Sequence, residues 1–95
     1  MAASRAEVDS WISTAKATKC KYILSVCDTF DWEDYPVYCL DEVELFEEYY
    51  AHNNVDMQRI NEIIRINKDG SVNENIRLRD IEGITIVKVR KENGK

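Results

Sequence analysis

Val8, Trp11, Ile12 and Ala15 recur at i, i+3, i+4 and i+7, one apolar stripe along a helix. Ser4-Arg5-Ala6-Glu7 stands ahead of it as a capping box, with Ser4 accepting from a first-turn N–H and Glu7 reaching back to the Ser4 N–H. Lys16 and Lys19 fall near the far end, where the macrodipole favours cations. The pattern predicts a helix over residues 5–18. In Tyr22-Ile23-Leu24-Ser25-Val26-Cys27 both alternating faces are apolar: Tyr22, Leu24 and Val26 point one way, Ile23 and Cys27 the other. That predicts a strand covered on both sides, or at least central in a sheet. Residues 28–36 follow as a polar and aromatic loop, longer than the usual hairpin connection of about 2–5 residues. Residues 37–40 form a second short strand.

Asp41-Glu42-Val43-Glu44 is a second capping box, with Leu45, Phe46, Tyr49 and Tyr50 completing a helical face. The helix runs over residues 42–52, and Asn53-Asn54 stops it. Residues 57–66 fit two templates. Met57, Ile60, Ile63 and Ile64 suit a helix, while Ile60, Glu62, Ile64 and Ile66 alternate as in a strand. The Asp69-Gly70 hairpin signal that follows decides for strand. Its partner is residues 71–78, with Val72, Ile76 and Leu78 as the in-register apolar positions. Glu82-Gly83 marks a turn, and the β-branched alternation of residues 84–89 a further strand.

The order α-β-β-α-β-β-β has no regular βαβ rhythm, so the fold class is α+β. The simplest arrangement packs two amphipathic helices on one face of a small, mainly antiparallel sheet. With no linker composition anywhere, residues 1–95 form a single domain, frayed at about 1–4 and 92–95.

The net charge of -5 is unevenly spread. Between Tyr22 and Gln58 there is no Lys or Arg, and all ten charged residues are acids. Such a stretch argues against direct binding to a nucleic-acid backbone, where affinity comes from cations on phosphates. It suits a basic protein surface, or simply a solvated face. Three cysteines, Cys20, Cys27 and Cys39, leave one unpaired in any intramolecular scheme, which points to a reducing cytoplasm. No apolar run nears the ~18 residues needed to span a bilayer, and no signal peptide is visible.

The stretch from Cys27 to Tyr38 is the densest polar and aromatic segment, and seven of the nine aromatics lie between Phe30 and Tyr50. Val26-Cys27-Asp28-Thr29-Phe30-Asp31-Trp32-Glu33-Asp34-Tyr35-Pro36-Val37-Tyr38, the preceding helix with Trp11, and Asp56-Met57-Gln58-Arg59 carry a resemblance. Over roughly residues 5–66 the chain resembles a family of small uncharacterised proteins of bacteria, plasmids and phages with a V-C-D-T-F-D-x-x-D-Y-P-V-Y motif. The resemblance implies a prokaryotic or phage origin and a small stand-alone domain. It brings no activity with it.

Asp31, Glu33 and Glu42 match three positions of an EF-hand count, but Pro36 stands where the turn-making glycine belongs. A looser divalent site would draw on Asp28, Asp31 and Asp34. The alternative for Asp28 and Asp31 is Asx-type turns that accept backbone N–H groups. Neither a cofactor nor a zinc site is expected, since His52 is alone and no C-x-x-C occurs. No G-x-S-x-G, P-loop or Rossmann glycine pattern is present, and the expectation is not an enzyme. The leading expectation is a binding protein that engages a basic protein surface through Asp31, Trp32, Glu33, Asp34 and Tyr35, supported by Glu44, Glu47 and Glu48. The alternative is a nucleotide-sized ligand in an aromatic pocket, with phosphate contacts from Arg59, Arg65, Arg77 and Arg79. A homodimer through the strand at 84–89 is a third.

Overall fold

The computed structural model describes residues 3–81. They form α1 (Arg5–Ala17), β1 (Tyr22–Asp28), β2 (Glu33–Cys39), α2 (Glu42–His52), β3 (Gln58–Ile66), β4 (Val72–Ile76) and a closing 3-10 turn, Leu78–Asp80. The strands make one antiparallel sheet in the order β2-β1-β3-β4, so the class is α+β. The expected turn at Glu82-Gly83 and strand at 84–89 lie outside the described residues, as do residues 1–2 and 92–95 of the ends expected to fray at about 1–4 and 92–95. Ala3 and Ser4 are instead held, Ala3 N by Asp34 and Ser4 as the cap of α1.

Both helices start on their caps. Ser4 Oγ accepts from Glu7 N at 3.2 Å, and the Ser4 hydroxyl, not its N–H, donates to the Glu7 carboxylate at 3.3 Å. Asp41 Oδ1 accepts from Glu44 N at 2.9 Å. α1 ends in a Schellman pair: Cys20 N donates to Ala15 O at 2.8 Å and Lys19 N to Lys16 O at 3.2 Å.

The helices lie on opposite faces of the sheet, where a single shared face was expected. Tyr22, Leu24 and Val26 of β1 pack with Leu45 of α2, Cys39 and Ile63. Ile23, on the other face, packs with Trp11, Ile12 and Ala15 of α1 and with Ile64. The reason is in β1 itself. Ile23 and Leu24 are both fully buried, so each face of the central strand needs its own cover.

Two further differences follow from local chemistry. Residues 28–36 were expected as a loop, yet β1 runs to Asp28 and β2 begins at Glu33, leaving only a turn between them. Among the described residues β2 is an edge strand, and edges tolerate a proline and acids that a central strand does not. In β3 the register shifts between Ser25↔Glu62 and Val26↔Ile60, so Asn61 is a bulge. The bulge lets Ile60 and Ile63, three apart, face α2, while Ile64 and Ile66 face α1. A second irregularity in β4 puts Val72 on the α1 side and Ile76 with Leu78 on the α2 side.

Candidate functional site

The β1–β2 turn and the α2–β3 connection meet at one end of the sheet. Thr29 N and Thr29 Oγ1 both donate to Met57 O, each at 2.7 Å. Asp28 Oδ1 accepts from Phe30 N at 2.9 Å, an Asx turn, and Trp32 N closes on Asp28 O at 2.7 Å. Trp32, Asn54, Asp56 and Met57 have φ of 58, 59, 50 and 62°. A bulky residue in that region persists only where its surroundings hold it.

This backbone displays four apolar side chains to solvent: Phe30 at 75% exposure, Met57 at 59%, Trp32 at 53% and Val55 at 40%. Asp31, Glu33 and Asp56 stand exposed among them, with Asp28 half-buried at the base. The tip is therefore an apolar patch with an acidic rim. The Arg59 guanidinium lies 5.7 Å from the Trp32 ring centroid, a cation–π contact.

Of the residues expected from the sequence, Asp31, Trp32 and Glu33 meet at this tip. Asp34 does not join them. Its Oδ2 accepts from Ala3 N at 2.8 Å, which ties the start of the chain to β2. Tyr35 turns to the opposite face, packs against the core under α2 and meets His52 edge-on at 6.3 Å. Burial, and then the charge of Asp28, push its phenol pKa up. Glu44, Glu47 and Glu48 ride on α2. That helix begins beside Tyr22, whose hydroxyl donates to Glu42 at 2.8 Å. Glu44 is thus about 12 Å of helix rise short of His52 and far from the tip. Glu48 lies 3.5 Å from His52 Nδ1. The acids thus sit on two elements, the β1–β2 turn region and α2. Phe30, Val55 and Met57 were not singled out from the sequence, although Phe30 sits inside the quoted motif.

Asp28, Asp31 and Asp34 do not converge. Among the described residues no group of three or more His, Cys, Asp or Glu is placed to hold a metal ion. The four arginines are dispersed. Arg59 lines a groove of about 330 Å³ with Trp32, Asp34, Ser25 and Cys27. Arg77 and Arg79 line another, beside Tyr49. Arg65 sits across the ladder from Tyr22. The three cysteines are free and buried.

Comparison with family models, curated proteins and solved structures gives no match. No described helix is long and apolar enough to cross a membrane.

Proposed function

We propose that the chain is a non-enzymatic binding protein that engages a basic protein surface through the tip formed by Phe30, Asp31, Trp32, Glu33, Val55 and Met57. The observation that carries this reading is the exposure of four large apolar side chains in one place, Phe30 most of all. Exposed aromatics are the usual anchors of an interface, and acids around them steer a cationic partner. The resemblance to phage and plasmid proteins supports an accessory or host-antagonist role for such a contact.

The test is capture of partners from a bacterial lysate at low and high salt, with wild type beside Trp32→Gly and Phe30→Ser. Glycine adopts the φ of 58° at position 32 without strain, so the turn survives the loss of the indole. A basic protein retained at low salt, released at high salt and lost with both variants is the expected result. A partner that both variants retain overturns the reading, and so does an empty capture from a chain that is also monomeric.

One observation favours a second reading. The groove shared by Trp32 and Arg59 joins an aromatic face to a cation, and its size is at the lower end for a small-molecule site of about 300–1,000 Å³. A ligand that binds only the folded state raises the melting temperature. A nucleotide panel that leaves it unchanged removes this alternative.

A further inference from the structure

The end of the sheet opposite the tip carries the complementary surface. Lys16 and Lys19 at the end of α1, Lys21 before β1 and Lys68 after β3 rim one groove of about 540 Å³. Its floor includes Cys20 and Ile66, an apolar base under a cationic rim. Lys21 lies 3.9 Å from Glu42. Among the described residues, no carboxylate lies within ion-pair distance of Lys16, Lys19 or Lys68. Lysines at a helix end complement its dipole, which explains Lys16 and Lys19. It does not explain Lys21 and Lys68, which arrive from other elements to rim the same groove.

We infer that the partner of the tip is a second copy of this chain, whose lysine-rimmed groove receives the aromatic tip head-to-tail. The inference rests on the tip reading above and names its partner. Apolar meets apolar, since Phe30 and Trp32 face the Ile66 floor. Charge meets charge, since Asp31 and Glu33 face Lys16 and Lys68. β1 separates the two surfaces by about 20 Å, so one molecule does not fill its own groove. A contact between unlike surfaces leaves a free tip at one end and a free groove at the other, and it propagates as a chain unless the rotation closes a ring. The net charge of -5 opposes association at long range. At about 0.15 M salt the screening length is ~8 Å, which weakens that repulsion and spares pairs in contact.

The experiment is sedimentation velocity on the whole chain at 0.15 M and 1 M NaCl, with two charge-reversed variants. Asp31→Lys with Glu33→Lys disables the tip. Lys16→Glu with Lys68→Glu disables the groove. All four positions are exposed, and a cooperative heat transition verifies that each variant is folded. Wild type is expected to gain mass with concentration at 0.15 M and to return to monomer at 1 M. Each variant alone is expected to be monomeric. An equimolar mixture is expected to associate again, because the intact tip fits the intact groove and the reversed tip meets the reversed groove with opposite charge. A monomeric wild type at millimolar concentration overturns self-association and leaves the tip to a foreign partner, tested by lysate capture. Association that survives in the tip variant but not in the groove variant overturns the tip reading itself. A mixture that stays monomeric, or a groove variant that still assembles, also overturns the inference.

Discussion

Lys19 occupies the left-handed C′ position of α1, with φ of 60°, where glycine is the usual residue. A β-carbon there costs roughly 1 kcal/mol. Lys19→Gly is expected to stabilise the fold by about 0.5–1 kcal/mol, read as a rise of a few degrees in Tm. A fall in Tm would mean that the lysine side chain matters more to the fold than the strain does. Cys39 sets a second residue-scale expectation. Burial, and then the charges of Glu44 and Glu48, push its thiol up to about 12. In the unfolded chain a thiol titrates near 8.5. The folded state holds the proton more tightly, so this contribution is complete below about pH 8.5 and is lost as pH rises towards 12. Tyr22 acts in the same direction from about pH 10, raised by burial and by its hydrogen bond to Glu42. Stability is expected to fall above pH 9 by at most about 1.4 kcal/mol per pH unit for each group. Cys39→Ala and Tyr22→Phe should each flatten that slope in urea titrations. A level profile from pH 8 to 10.5 contradicts the burial of both groups.

At the scale of elements, the bulge in β3 explains why its sequence fitted two templates. Ile60 and Ile63 face one way at a spacing of three because Asn61 is an extra residue, and that spacing imitates a helix. Deleting Asn61 brings Ile60 and Glu62 opposite Val26 and Ser25 in a continuous ladder, and every core residue keeps its face. The deletion is expected to fold, with Tm within several degrees of wild type. Deleting Ile64 instead brings Arg65 opposite Ile23 beneath α1 and is expected to abolish the heat transition. The capped helices and β1 were legible because their signals are local: Ser4 with Glu7, Asp41 with Glu44, and two apolar faces in six residues. The extent of β2 was not, because Asp34 and Pro36 disfavour a strand except at an edge, and edge position belongs to the whole sheet. The helix faces were half legible. The two-sided pattern of β1 already required two covers, which a single-face packing of both helices cannot supply. At the tip, Asp31, Trp32 and Glu33 were legible as candidate contact residues of a polar and aromatic segment, although Glu33 opens β2 and is not in a loop. Their union with Val55 and Met57 was not, because the Thr29–Met57 bonds join positions 28 residues apart.

At the scale of the molecule, the uneven charge has a measurable consequence in divalent salt. The acids are many but dispersed. Asp28 and Asp34 each accept from a backbone N–H, Asp31 and Glu33 are exposed, and Glu44, Glu47 and Glu48 belong to a different element, α2. A calcium site takes about 6–8 oxygens in one place, and magnesium demands near-octahedral geometry. Pro36 lies within a paired strand, where it stiffens the chain against wrapping around an ion. Millimolar Mg²⁺ or Ca²⁺ is therefore expected to shift Tm no further than NaCl of matched ionic strength, which screens the same acids. A site whose dissociation constant lay a hundredfold below the metal concentration would add about 2.7 kcal/mol. For a domain of this size that is a rise on the order of 10 °C or more, well outside the error of a thermal scan. A divalent-specific rise of that order, abolished by Asp28→Asn or Asp31→Asn, would show the turn at 28–34 closing around an ion. The aromatic tip would then be one face of a metal-gated site, and its acids ligands in place of a rim for a basic partner.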